Sequence, residues 1–138
     1  LQIVRAMCKS MGIPVPEIKF KKALPKTQGH SMYAHYDFDR NIMYINESMN
    51  KDTNEFLKTL LHELYHAKDA KKLGSKFQKE YEKEIAYYQA LNPNKADDWY
   101  KNNSFEINAE KFAQKNWKKW KKVYDKVQMR KHLDNDGF

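Results

Sequence analysis

Apolar residues recur every three or four positions in four stretches of the chain, which is the spacing of an amphipathic helix. These stretches cover residues 1–11, 52–74, 75–91 and 104–133. In the second, Asp52 followed by Glu55 resembles a capping box, and Gly74 supplies a stop. The third stretch begins with a similar pair, Ser75 and Gln78. The pattern therefore predicts four helices, of which the last is the longest.

Between the first two helices, apolar residues alternate with polar ones, as they do in strands. Residues 17–22 are predicted to form one short strand. The runs 32–36 and 41–45 are β-prone, and residues 37–40, three of which are charged, separate them as a turn. These two runs are therefore predicted to pair as a β-hairpin.

The order of elements, a helix, a small sheet and then more helices, indicates an α+β fold. We expect a small, mostly antiparallel sheet packed against the helix at 52–74 and the further helices. Residues 23–30 and 92–103, which carry the proline, glycine and asparagine residues typical of turns, are predicted to be loops. A chain of 138 residues, 41% of them hydrophobic, fits one compact domain over residues 1–138.

The cysteine content and the hydropathy limit the classes of protein. Cys8 is the only cysteine, so neither an internal disulfide nor a cysteine-based zinc cluster can form. No apolar run approaches the length of about 18 residues that a membrane-spanning helix needs. A thiol without a partner suits a reducing compartment, so we predict a cytoplasmic protein without a transmembrane segment.

The chain is basic, with a formal net charge of +8. Five lysines surround two tryptophans in residues 115–122, within the last predicted helix. Such a surface is able to hold DNA, RNA or an anionic membrane. A solvated helix face that is rich in lysine explains the same pattern and is the interpretation that we favour at this stage.

A metal-binding motif lies on the second predicted helix. His62 and His66 are four residues apart, which places both imidazoles on one face, about 40° apart around the axis. Two nitrogens offered in this way suit tetrahedral Zn²⁺, although the same ligands also accept Mn²⁺, Fe²⁺ or Co²⁺. Glu63, next to the first histidine, is placed to act as a general base on a water activated by the metal.

A third ligand is available on the last helix, where Glu106 and Glu110 share a face. Glu106 would complete a site of two histidines and one glutamate, and Glu110 would accept the free N–H of a ligating histidine. Asn103 and Glu106 also have the spacing of a capping box, so a purely structural role for Glu106 stays open at this point. Asp69, one turn beyond His66, is a weaker candidate for supporting a ligand.

Three segments together resemble a known family. They are residues 59–67 around His62-Glu63-Leu64-Tyr65-His66, the strand at 42–46 that precedes them, and residues 106–113, which begin with the downstream glutamate. This combination is similar to the ImmA/IrrE-like metallopeptidases, zinc peptidases of the gluzincin type that are often encoded by phages and mobile elements. The resemblance covers about residues 30–115.

The resemblance implies a minimal zincin-like fold and a zinc-dependent peptidase. Its ligands would be His62, His66 and Glu106, with Glu63 as the catalytic base. The family usually has Asp or Asn where this chain has Glu110, so the contact of that side chain with a histidine is less certain. An extended peptide substrate is expected along the edge strand, here residues 32–36.

The remaining candidates are hydrogen-bond donors for the reaction and histidines that lie outside the metal-binding motif. A hydrogen-bond donor to the reaction's oxyanion is expected, and the sequence offers Tyr81, Tyr87, Tyr88, Tyr100 and His132. His30, His35 and His132 are interpreted as surface or packing histidines rather than ligands.

Two functions follow from these patterns. The first is a cytoplasmic zinc endopeptidase that cleaves a specific protein substrate. The second is a non-catalytic zincin-like binding protein that uses the basic Lys/Trp-rich helix to hold nucleic acid or a protein partner. Glu63 favours the first, because a purely structural metal site has no need of a base.

Overall fold

The computed structural model describes residues 2–22, 24, 33–47, 52–95 and 98–135, with the backbone alone for 98, 99 and 132–135. Its elements, in chain order, are α1 (Gln2–Met11), β1 (Glu17–Lys21), β2 (Ala34–Asp37), β3 (Ile42–Asn46), α2 (Thr53–Leu73), α3 (Lys76–Leu91), α4 (Asp98–Asn102) and α5 (Ser104–Asn135). A small sheet packs against helices, so the predicted α+β class is confirmed.

The three strands form a mixed sheet in the order β1-β3-β2. β2 and β3 pair antiparallel, as the predicted hairpin requires, and β1 joins β3 in parallel. The turn is held by Asp37, whose Oδ1 accepts hydrogen bonds from the backbone N–H groups of Asp39 and Arg40. Asn41 completes it with a φ of 55°, a conformation that asparagine tolerates well. Met32, which we predicted to start the hairpin, lies outside the described residues.

β2 lies at one edge of the sheet, against α2. The carbonyl of Tyr33 accepts a hydrogen bond from the N–H of Asn46 in β3. Since backbone groups alternate in direction along a strand, those of Ala34 and Tyr36 point away from β3. The side chains of Ala34 and Tyr36 are buried. This edge therefore combines a core-facing row of side chains with backbone groups that β3 does not use.

The helix that carries the metal-binding motif, α2, lies at the centre of the fold. Asp52 caps it by accepting a hydrogen bond from the N–H of Glu55, and Gly74 ends it with a φ of 58°. Its apolar face is fully buried. The most extensive packing in the molecule joins α2 to α5, where Ala109 and Ala113 have no exposed surface and allow the two helices to approach closely. The motif helix is thus fixed directly against the helix that carries Glu106.

Two details of the helical region differ from the sequence prediction. The side chain of Ser75 makes no capping hydrogen bond, because its backbone is already helical (φ −62°, ψ −17°), and Gln78 donates to Glu82. The predicted loop at 92–103 contains the short helix α4, which packs against α3 and α5. Five residues are too few to show a helical period, so the pattern could not reveal α4. None of the described helices has the length and apolar character needed to cross a membrane.

Candidate metal centre

The packing of α2 against α5 brings His62, His66 and Glu106 together. Nε2 of His62 lies 2.8 Å from Oε1 of Glu106, and Nε2 of His66 lies 2.7 Å from the same oxygen. His66 and Glu106 are buried and His62 is nearly so. Two imidazole nitrogens, one turn apart on α2, thus converge on one carboxylate from the facing helix.

The start of α5 sets the position of Glu106. Asn103 has no exposed surface, and its Oδ1 caps the helix by accepting from the N–H of Phe105 at 3.0 Å. Its Nδ2 donates to the backbone carbonyl of Tyr81 on α3 at 3.4 Å, which ties the cap to the next helix. The carboxylate of Glu106 contacts the histidines, so its role is not that of a partner in the capping box.

Glu110 lies one turn further along α5 and contacts the other nitrogen of His62. Its Oε2 is 3.1 Å from Nδ1, the contact expected of a residue that orients a ligating imidazole. The longer glutamate side chain, where the family that the motif resembles usually has Asp or Asn, reaches the ring. Asp69 is half-buried near His66, and the structure gives no hydrogen bond between these two described side chains.

Contacts between the imidazoles and the carboxylates shift the pKa values of the site residues. Burial alone would lower the pKa of His62, but hydrogen bonds with Glu106 and Glu110 outweigh it and raise that pKa to about 10. Burial raises the pKa of Glu106, yet hydrogen bonds with both histidines and with Tyr81 bring it well below its usual range. The hydrogen bond with His62 lowers the pKa of Glu110 to about 2. Without a metal, His62 is therefore an imidazolium held between two carboxylates.

His66 is held differently from His62. Nδ1 of His66 is buried and has no hydrogen-bond partner among the described residues. Its ring faces Phe77, whose centroid is 6.4 Å away, in an aromatic cluster behind the site. The ring is therefore oriented by packing and by its contact with Glu106, whereas carboxylates contact both nitrogens of His62.

The donor set fits a divalent cation such as zinc. The three candidate ligand atoms lie within 4.8 Å of one another. That range includes the separation of roughly 3.3 Å between neighbouring ligands in a tetrahedral zinc site. Elsewhere in the described part of the chain, no three His, Cys, Asp or Glu side chains come together in this way. His35 is exposed on β2 and lies outside the cluster, and His30 lies outside the described residues.

Glu63 lies between this cluster and the edge of the sheet. Its Oε2 accepts a hydrogen bond from the backbone N–H of Tyr36 at 3.1 Å. That N–H belongs to the edge of β2 that β3 leaves unused, so the edge strand positions the carboxylate. No sequence pattern indicated this contact, because it depends on how the sheet packs against α2.

Two of the predicted oxyanion donors lie at the cluster. The hydroxyl of Tyr81 donates to Oε2 of Glu106 at 2.5 Å, so this residue supports the candidate ligand. Tyr100, from α4, lines the same groove as His62 and Glu106. Burial and the nearby carboxylates raise the pKa of both hydroxyls, which keeps them protonated as donors.

The other oxyanion candidates are not placed at the cluster. Tyr87 is 60% exposed on α3, where its ring packs edge-on against Tyr88. The side chain of His132 lies outside the described residues.

A groove of about 540 Å³ opens beside the cluster, between α4 and α5. His62 and Glu106 lie at its inner end, and Ile107, Lys101 and Lys111 line its outer part. The groove gives a bound molecule access to His62, and it combines one apolar residue with two cations.

Comparisons with protein-family models, with curated proteins and with solved structures find no match. The resemblance to the ImmA/IrrE-like metallopeptidases therefore stays a prediction that rests on the motif residues.

Proposed function

We propose that this protein is a zinc-dependent metallopeptidase of the gluzincin type that hydrolyses peptide bonds of a protein substrate, and that it acts in the cytoplasm. The observation that carries the proposal is the convergence of His62, His66 and Glu106, with Glu63 one residue from the first histidine. The same three residues suit a structural site as well, but such a site has no use for a carboxylate placed as Glu63 is.

The roles of the side chains follow from their contacts. His62, His66 and Glu106 would hold zinc, which when bound supplies a Lewis acid that polarises a carbonyl and makes water more acidic. Glu63 has Oε2 occupied by the N–H of Tyr36, while Oε1 has no hydrogen-bond partner among the described residues. Oε1 is thus the atom that takes a proton from water and delivers it to the leaving amine.

Two further contacts support the chemistry. The N–H···Oε2 bond from Tyr36 fixes the orientation of the base, so that little reorganisation is needed when the proton moves. Tyr100 is our candidate for donating a hydrogen bond to the oxyanion of the tetrahedral intermediate, because its protonated hydroxyl already hydrogen-bonds to Glu106 in the groove beside His62.

The edge of the sheet supplies the path for the substrate. The N–H and carbonyl of Ala34 and the carbonyl of Tyr36 point away from β3, and an extended peptide can add to them as a further strand, while the N–H of Tyr36 stays bonded to Glu63. Because the N–H of Tyr36 bonds to Glu63, a peptide on this edge would lie next to the base. The proposal thus requires an extended or unfolded segment as substrate.

The test combines metal content with peptide cleavage. Purified protein should contain about one zinc per chain, and Glu106→Ala should lose it while Glu63→Gln keeps it. With a quenched-fluorescent peptide library as the probe, Glu63→Gln should lower kcat by at least about 100-fold, the contribution of a general base. Glu55→Gln, an exposed change on the same helix, is the matched control and should keep both zinc and activity.

Three results would contradict the proposal. Zinc retained in Glu106→Ala would show that the ligand set is different. Cleavage of equal rate in Glu63→Gln and in the Glu55→Gln control would show that Glu63 is not the base. Cleavage by the wild type that survives removal of zinc with a chelator would exclude metal-assisted hydrolysis altogether.

A further inference from the structure

The net charge of the protein comes from one part of one helix. Residues 111–131 of α5 contain nine Lys or Arg and a single acid, Asp125, which gives a net charge of +8. The rest of the chain contains 17 Lys or Arg and 17 Asp or Glu, so it is formally neutral. A random scatter of surface lysines would not leave the remainder balanced. The charge of the molecule is thus localised on the second part of α5.

Most of these cations share one face of the helix. At 100° per residue, seven of the nine fall within one sector of about 120°, which excludes the buried Ala113 and Trp120. The seven are Lys111, Lys115, Lys118, Lys119, Lys122, Lys126 and Arg130, and all are exposed. From first to last they extend over about 28 Å at 1.5 Å per residue. We call these seven residues the basic stripe.

The stripe is not neutralised by the protein itself. The ion pair of Lys121 with Asp125 lies at its side, and no residue of the stripe lies within 4.0 Å of a carboxylate oxygen of the described residues. Nor does another described element cover it, since all seven side chains are exposed, while residues such as Ala113 and Trp120 on another side of α5 lie in the buried core. Seven like charges without a carboxylate partner on one helix face repel one another, which costs stability that an anionic partner would recover, although Lys118 and Lys119 also lie over the rings of Trp117 and Trp120.

We propose that the basic stripe binds the phosphate backbone of double-stranded DNA, without reading its sequence. The length of the stripe is close to one turn of the duplex, about 34 Å, so its cations can contact phosphates along the whole of that turn. Lysine recognises phosphate as a point charge, and contacts of this kind position a protein on DNA without specifying bases.

The surroundings of the stripe disfavour the other anionic partners. Trp120 is 7% exposed and Trp117 is half-buried under Lys58, so neither ring is presented for stacking on the bases of a single strand. A helix that lies in a membrane surface needs a row of apolar residues to insert, but the exposed apolar residue on this part of the helix is Met129 alone among the described side chains. Contacts with phosphates alone do not separate DNA from duplex RNA, so the binding experiment includes an RNA duplex as competitor, and competition as strong as that by DNA would assign the stripe to RNA.

The experiment measures binding of the full chain to a fluorescent duplex of about 20 base pairs at several salt concentrations. We expect log K to fall linearly with log salt, with a slope of about −4 to −6 for five to seven phosphate contacts. Lys118→Glu with Lys122→Glu should weaken binding at least about tenfold and reduce the slope by about two. Lys76→Glu with Lys79→Glu, on exposed positions of α3, changes the net charge equally and should have less than about a threefold effect.

Circular dichroism of both variants establishes that the fold is kept, as expected for exposed positions. Equal losses in the two variants would overturn the proposal, because binding would then follow net charge alone. Competition by polyglutamate or by anionic vesicles as strong as that by unlabelled duplex would assign the stripe to an acidic protein or a membrane instead. Glu63→Gln should bind the duplex as the wild type does, so failure of the peptidase proposal would leave this result unaffected.

Discussion

The charged side chains of α5 differ between residues 104–110, where Glu106 is buried and paired, and residues 111–131, where most are exposed cations. In the first of these parts, the carboxylate of Glu106 is 7% exposed and contacts His62, His66 and Tyr81. From Lys111 onward, cations face the solvent, and a single ion pair is formed among the described residues of that part. One helix thus carries a buried, paired site and an exposed, unpaired surface next to each other.

This difference separates two kinds of electrostatic function. A buried charge with several partners is held in one geometry and is little affected by salt, so it suits the placing of a ligand at defined atoms. Exposed charges without partners create a field that salt screens within about 10 Å at ordinary ionic strength. Ligand binding at the first part of α5 should therefore change when a single contacting atom is removed. Binding at the second part should change with ionic strength and with the total charge of its side chains.

The largest effect is expected at the paired end of α5. Glu106→Gln removes a candidate ligand and should weaken zinc binding by well over about 100-fold, whereas Glu110→Gln removes only the group that orients His62 and should cost about 10–100-fold. Competition with a chelator of known affinity measures both. Equal effects of the two substitutions would contradict the assignment of Glu106 as ligand and Glu110 as its support.

Zinc binding should also release a proton. The pKa of His62 in the metal-free protein is about 10, so near pH 8 the ring is charged and must lose its Nε2 proton to bind a metal. Because the pKa is raised, apparent affinity should increase about tenfold per pH unit until pH approaches 10, and then level off. Titration calorimetry in two buffers with different ionisation enthalpies should give about one proton near pH 8. A value near zero would contradict a His62 that is charged in the metal-free protein and loses that proton to the metal.

The third effect is on stability at the start of α5. Asn103 is a fully buried helix cap, and its side chain also bonds to the backbone of Tyr81. Asn103→Ala should lower the free energy of unfolding by about 2 kcal/mol, at the upper end of the range for caps. Asp52→Ala, which removes the exposed cap of α2, should cost nearer 1 kcal/mol. Thermal unfolding of the two variants compares these losses. An equal loss of stability would show that the hydrogen bond from Asn103 to the carbonyl of Tyr81 contributes nothing further.

Sequence patterns predicted the parts of this molecule that depend on local spacing. The helix that carries His62 and His66, its cap at Asp52 and its end at Gly74 follow from residues close together in the chain, and the structure agrees with each. The hairpin was predicted for the same reason, and its strands differ from the predicted limits by one or two residues at the described ends.

The remaining parts depend on contacts between distant residues. The parallel pairing of β1 with β3 and the hydrogen bond from Tyr36 to Glu63 join segments whose separation carries no periodic signal. Tyr81 was considered as an oxyanion donor, but its contact with Glu106 depends on how α3 crosses α5. The sequence offered the correct set of chemical groups, and the packing of helices decides which of them meet.

The smallest effect is expected in the basic part of α5, where removal of charge should raise the free energy of unfolding rather than weaken binding or stability. Lys122→Gln with Lys126→Gln removes an i,i+4 pair of like charges that is close to the other cations of the basic stripe. At about 0.02 M salt the variant should be more stable than the wild type, by no more than about 0.5 kcal/mol, since repulsion is relieved and no contact with a carboxylate is lost. At about 1 M salt, where charges are screened within about 3 Å, the difference should disappear. Thermal unfolding at both salt concentrations measures this difference. Destabilisation at low salt would mean that these lysines make stabilising contacts, so that the charges of this part of α5 are paired like those near Glu106.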